Sequence, residues 1–433
     1  MFDFFLGDLK EFSAAPLECL DRRLAQTPGD EPVQLRIAGR NAYFVRRPDQ
    51  TRHILADNAA NYTKGMFQKR LRPLLGDGLI TADGERWKTA RDALKGIRLD
   101  GGMDLALAIG LKDITRLVVS DTPVSLPELA GRLTIRMSTA ALAETALPQQ
   151  TADELFTAAS GAHDWVSDIM WRPIHVDLPL PTAGRRRFKA LVDTLDNIVA
   201  DLRKEPQGVF AALAVLEQIY GSKAVRDEFV TMLLAGFETT ASTAAWLLYV
   251  LADKPDTVAW IREEVDSVLA GGKDLTSEDL KKLPRTKAVV EEVLRLYPSV
   301  WWYARENKEI DSLGGVTIPK GSSVFLCPWL MHREADLFPD PNRFAPSRWM
   351  TGKLIDRWSF IPFGAGPRVC LGQHLARGEL TALAALVVAG FDLEPLSGPI
   401  DGLKPVGGVT LAAPKDGLHV RFNPRATRHA QAA

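Results

Sequence analysis

The chain has 433 residues, of which 46% are hydrophobic and 25% charged, with 10 Trp and 18 Phe. This composition buries a sizeable core and excludes a disordered, collagenous or fibrous protein. With 53 Lys and Arg against 54 Asp and Glu the net charge is −1, so no global field draws the protein onto nucleic acid or an anionic membrane.

In chain order, the aromatic N-terminus MFDFFLGDLKEF is interrupted by Asp3, Asp8 and Lys10 before a signal-peptide or membrane-length apolar run develops. Residues 33–47 hold β-formers around Gly-Arg-Asn and predict a hairpin. From about 83 to 290, amphipathic segments punctuated by Gly and Pro predict a mainly helical centre, with a Pro-rich connection at 172–187. The apolar stretch 232–252 has the length of a membrane span but carries Glu238 and several Thr and Ser, so it reads as a buried helix. Residues 309–327 predict two strands joined by Pro-Lys-Gly, and 405–422 again favour strands and turns. No repeat or linker divides the chain, which is expected to form one domain over 1–433 with an unstructured tail from about 425. The fold class is mainly α with small β-sheets. A core of this size is easier to complete if a large apolar cofactor fills part of it.

Cys19, Cys327 and Cys370 are odd in number and scattered, which argues against a disulfide framework and for a reducing, cytoplasmic setting. Residues 360–372 read FIPFGAGPRVCLG, so Cys370 is framed by Gly364, Gly366 and Gly372, with Phe363 seven residues before it and Arg368 two before it. Glycines let backbone approach a thiolate closely and donate N–H groups to it, as an iron-bound sulfur requires. Residues 371–388 are helical in pattern, which predicts a cysteine at a helix N-terminus, where the dipole favours the thiolate. Arg368 is poised for the acidic edge of a cofactor. A lone cysteine in a Gly-rich turn is otherwise an inert buried thiol, and Cys370 with His374 would be half a zinc site lacking a CxxC partner.

Phe363, Gly366, Arg368, Cys370 and Gly372 match FxxGxRxCxG, and here the chain resembles the haem-thiolate signature of the cytochromes P450. Other segments extend the resemblance in order. Glu292 and Arg295 match the family's Glu-X-X-Arg pair, with Arg348 as the later arginine that completes it. In LLAGFETT, Glu238 and Thr239 resemble the acid and alcohol pair of the distal helix. The resemblance implies that Thr239 locally opens the helix and hydrogen-bonds dioxygen while Glu238 relays protons. Trp87 and Arg91 match WxxxR, implying contacts to a haem propionate, although Lys95-Gly96-Ile97 departs from the usual Pro-X-Phe after that helix. Arg305 is a further expected propionate partner.

The family fold and a haem b monooxygenase are thereby implied, with Cys370 as the metal ligand and Gly364 among the cofactor-binding residues. The resemblance also implies electrons from a separate ferredoxin or flavodoxin with its reductase, for which Lys88, Lys95 and Arg98 offer a basic docking patch. A monomer without a membrane anchor or nucleic-acid partner is expected. Phe67, Trp165, Trp171, Ala235, Phe237, Trp301, Trp302 and Leu411 fall on segments that line the family's pocket and suggest an apolar substrate. A terpenoid skeleton comes first and a fatty acid second, the latter with Lys64, Lys69 or Arg70 near the entrance. The alternatives are a peroxide-driven peroxygenase and a non-catalytic haem-thiolate sensor with a second axial ligand, for which His332 is a candidate.

Overall fold

The structure is a computed structural model that describes residues 7–425 except 38, 96, 98–99, 118–121, 171–181, 353–354 and 415. Trp171, Arg98, the body of the Pro-rich connection and the expected tail after 425 lie outside the described residues.

The longer helices are α1 (Gly84–Leu94), α2 (Asp100–Leu117), α3 (Leu126–Ala143), α4 (Gln149–Met170), α5 (Ala183–Leu202), α6 (Val209–Tyr220), α7 (Ser222–Asp253), α8 (Pro255–Val268), α9 (Pro284–Leu296) and α10 (Gln373–Gly390). Helix α7 threads the core and packs on α3, α6 and α10. Its length follows from a run without proline, and it stops at Lys254 because Pro255 supplies no N–H and opens the next helix. From Ala244 to Leu251 every side chain is buried, Trp246 stacking on Tyr297 at 4.3 Å. The apolar stretch 232–252 is therefore a core segment, and no helix among the described residues is long and apolar enough to cross a membrane.

The strands are β1 (Val33–Ile37), β2 (Arg40–Val45), β3 (Tyr62–Thr63), β4 (Val124–Ser125), β5 (Tyr303–Asn307), β6 (Asp311–Leu313), β7 (Val316–Ile318), β8 (Ser323–Leu326), β9 (Phe391–Pro395), β10 (Val406–Gly407), β11 (Leu411–Ala412) and β12 (His419–Pro424). The expected first hairpin is β1 and β2, antiparallel from Val33 opposite Phe44 to Ile37 opposite Arg40. It belongs to a five-stranded sheet ordered β1-β2-β8-β5-β3, with β2 parallel to β8. The 309–327 segment holds three strands rather than two. Gly314 and Gly315, both at positive φ, close the β6–β7 hairpin, whereas Pro-Lys-Gly at 319–321 carries the chain out of that hairpin into β8 of the large sheet. Phe44 and Phe325 stack at 4.5 Å beneath this sheet, joining it to the helix Leu9–Ala14 through Phe12.

Candidate functional site

The Cys370 loop is closed by its own backbone: the Cys370 N–H donates to Phe363 O at 2.9 Å and the Val369 N–H to Gly366 O at 3.1 Å. Gly364 and Gly366 sit at φ +70° and +71°, a region that side chains other than glycine enter at a cost. Gly366 is doubly constrained, since a Cβ there would lie 2.6 Å from Leu55 O in the π-helical turn His53–Asp57. Cys370 keeps exposed surface although protein encloses most of it. The dipole expectation is corrected here. Helix α10 begins at Gln373, beyond Cys370, and burial pushes the Cys370 thiol up, opposed by the Gly372 N–H and by Arg91 and Arg377. An electrophilic metal ion reverses that balance.

Beside the loop runs a cationic edge. Arg368 donates to Asp83, the N-cap of α1, and its guanidinium carbon lies 4.2 Å from the Trp87 ring centre. Arg305 on β5 donates to Ala304 O at 2.8 Å. Burial, then the nearby Arg368, lowers it to about 10. Lys64 donates to Leu79 O and Ile80 O, both at 2.6 Å, and burial followed by Arg368 lowers it to about 7. Arg91 is also lowered by burial, with Cys370 opposing. Arg368 Nη1 is buried without a hydrogen-bond partner. Arg368 lowers both Arg305 and Lys64, opposed by Asp83 and, at Lys64, by Glu228, so the cluster holds more cations than carboxylates, a deficit the carboxylates of a haem edge would fill. The residues present therefore fit the group.

On α7, Leu234, Ala235, Gly236, Glu238 and Thr239 are half-buried between fully buried neighbours. The helix runs without interruption through them, contrary to the expected local opening: the Thr239 hydroxyl donates to Ala235 O at 2.6 Å and stays within the helical ladder. Glu238 Oε1 accepts from Thr410 Oγ1 at 3.4 Å and lies 3.5 Å from His163 Nε2 of α4.

Beneath the loop, Glu292 and Arg295 are fully buried. Arg295 Nε donates to Glu292 Oε2 at 3.0 Å and its Nη2 to Oε1 at 2.8 Å, and Arg348 Nε reaches Oε1 at 3.1 Å. Trp349 Nε1 adds a bond to Oε2 at 2.9 Å. His332 is buried, its Nε2 accepting from the Ile361 N–H at 3.0 Å, and burial lowers it to about 3. It braces the segment leading into the Cys370 loop, and this engagement does not fit an axial ligand.

The expected pocket aromatics separate into two groups. Phe67 and Ala235 are half-buried. Phe237, Trp301 and Leu411 are packed away in the core: Phe237 edges onto Phe156, Trp301 Nε1 donates to Gly408 O at 3.0 Å, and Leu411 O accepts from Ser242. Trp302 is nearly as buried, against Phe67 and Phe325. Trp165 stacks on Phe188 of α5 at 3.9 Å. Lys64 and Arg70, offered as carboxylate anchors, are engaged with backbone carbonyls instead, Arg70 with Ile169 and Met170 at the end of α4. Lys69, Lys88 and Lys95 are exposed. Sequence reasoning missed His163, Thr410 and Glu379. Glu379 lies fully buried on α10, bonded to Ser138 Oγ at 3.2 Å, and burial pushes it up to about 8. A Glu in a run of apolar helix was the available signal for it.

The family model described as Cytochrome P450 matches residues 4–420. Cyclooctat-9-en-7-ol 5-monooxygenase of Streptomyces melanosporofaciens is 29% identical over 84% of this chain and 83% of its own length. Protein LUTEIN DEFICIENT 5, chloroplastic, of Arabidopsis thaliana is 31% identical over 81% of this chain and 65% of its own. Pentalenene oxygenase of Streptomyces avermitilis is 28% identical over 82% of each. With the mainly helical fold, the small sheets and the enclosed cysteine facing a cationic edge, these matches show that the chain belongs to the cytochrome P450 family of haem-dependent monooxygenases.

Proposed function

We propose that this chain hydroxylates an apolar, terpenoid-like skeleton, with haem held on the Cys370 sulfur and electrons delivered by a separate ferredoxin or flavodoxin. The observation that carries the reading is the glycine-framed Cys370, largely enclosed by protein and close to Arg91 and Arg377, beside a cluster of cations with an unpartnered guanidinium nitrogen on Arg368. Haem bound there supplies the activation of dioxygen for insertion of one oxygen atom into a C–H bond.

The chain's own residues do the rest. Arg91, Arg305, Arg368 and Lys64 would supply the positive charge for the haem carboxylates, and Trp87 would offer an indole N–H donor beside them. Phe363, covered by Arg377 at 4.4 Å, shields the sulfur, and the Gly372 N–H favours its charged form. Ala235 on α7 and Phe67 are half-buried and would offer apolar surface to a substrate. Thr239 holds a hydroxyl, and Glu238 a carboxylate, for proton delivery. A terpenoid skeleton is favoured because two relatives are named for cyclooctat-9-en-7-ol and pentalenene, and because Lys64 and Arg70 are committed elsewhere. Lys88 and Lys95 offer an acidic carrier a local contact on α1 and just beyond it.

The test is a carbon monoxide difference spectrum of the reduced protein, followed by titration of terpenoid and fatty-acid panels for a Soret shift. A thiolate-type band abolished in Cys370→Ala, with shifts for terpenoids, supports the reading. A histidine-type spectrum would overturn it, and a response to fatty acids alone would replace the substrate class.

A further inference from the structure

One ring nitrogen on α4 faces two oxygen partners. His163 Nε2 lies 3.5 Å from Glu238 Oε1 and 3.1 Å from Ser167 Oγ. A carboxylate only accepts, whereas a hydroxyl donates or accepts. When the ring is charged it forms an ion-pair contact with Glu238 Oε1 at 3.5 Å, longer than a good hydrogen bond. When Nε2 is bare it accepts from the Ser167 hydroxyl, and Glu238 is left facing a lone pair. The contact joins α4 to α7, and Thr410, from the turn between β10 and β11, holds the same carboxylate oxygen from a third element.

We propose that His163 is a positioning residue for Glu238: protonated, it holds the carboxylate against α4 and serves as its immediate proton source, and neutral, it turns to Ser167 and releases Glu238. The inference rests on the oxygenase reading. In the transfer His163 Nε2–H gives its proton to Glu238 Oε1, yielding neutral imidazole and neutral carboxyl, and the Ser167 hydroxyl then donates to the bare nitrogen. A fresh proton from solvent restores the imidazolium.

The surrounding elements carry further charges, among them Arg185, Arg186 and Arg187 at the start of α5. Asp164 and Asp168 share α4 with His163 but are exposed. Helix α5 pairs Lys189 with Asp193 and offers Asp196 to Arg226, while α3 pairs Arg132 with Glu128 and Asp153. The turn carrying Thr410 has no ionisable side chain.

The experiment uses haem-loaded full-length protein as wild type, His163→Gln, Glu238→Gln, the double variant and His163→Lys. Thermal midpoints form a double-mutant cycle at about pH 6 and about pH 8.5. The expected result is coupling at the lower pH that vanishes at the higher. In parallel, hydrogen peroxide released per nicotinamide oxidised is followed with a plant-type ferredoxin and its reductase. In the wild type it should rise about 3-fold or more across that range, remain high and flat in His163→Gln, and remain low and flat in His163→Lys. Additive midpoints at both pH values, or a wild-type pH profile in His163→Gln, would overturn the inference. Absence of a thiolate-type carbon monoxide spectrum in the wild type would instead sink the oxygenase reading, which the unfolding cycle does not need.

Discussion

The Arg368 guanidinium lies flat over Trp87, 4.2 Å from the ring centre, while its far end is held by Asp83. One residue of the cysteine loop is thereby locked to the first turn of α1, and its Nη1 is left buried without a hydrogen-bond partner. Replacing Arg368 with Lys keeps the charge and loses both the stack and the fork. Haem should then dissociate about 10-fold faster, a change of about 1.4 kcal/mol, in the range of a shielded cation–π contact. Transfer of haem to a scavenging globin measures the rate.

Gly364 and Gly366 share a backbone conformation but not a neighbourhood. A Cβ at Gly364 meets nothing within 4 Å, whereas at Gly366 it lies 2.6 Å from Leu55 O. Gly364→Ala should cost about 1 kcal/mol, the strain of a left-handed alanine. Gly366→Ala must in addition displace the loop from the 53–57 turn, for about 3 kcal/mol or more in all. Thermal unfolding together with the carbon monoxide spectrum separates the two, since the displaced loop should also lose its thiolate band.

Glu379 gives stability a pH dependence of definite sign. Its folded pKa is raised from 4.5 to about 8, so between these values the native state retains a proton that the unfolded chain has released. Stability falls as pH rises through that window and levels off above it, a loss on the order of a few kcal/mol. Glu379→Gln should flatten the decline and be more stable than the wild type at about pH 8.5. Denaturant unfolding at several pH values checks this.

Thr239 bonds only a helical carbonyl that α7 already satisfies. Thr239→Ala should therefore leave the unfolding midpoint almost unchanged, within about 0.5 kcal/mol. Its expected effect is on coupling: peroxide released per electron consumed should rise, and an unchanged ratio would remove Thr239 from proton delivery.

The sequence by itself determined the cysteine loop, the helix bearing Glu238 and Thr239, and the Glu292–Arg295 pair. Each is local: positive-φ glycines within a few residues of Cys370, an apolar run ended by Pro255, and a three-residue spacing that puts acid and base on one helical face. Only the tertiary structure decided which groups meet across the chain. Thr410 reaches Glu238 over a separation of 172 residues and Ser138 reaches Glu379 over 241, and no periodicity encodes such pairs. The same holds for Lys64, whose place in the cationic edge depends on its reaching the Leu79 and Ile80 carbonyls ahead of α1, and for Phe237, Trp301 and Leu411. An apolar side chain is equally suited to a core and to a substrate pocket, and the packing of its neighbours alone assigns it to one or the other.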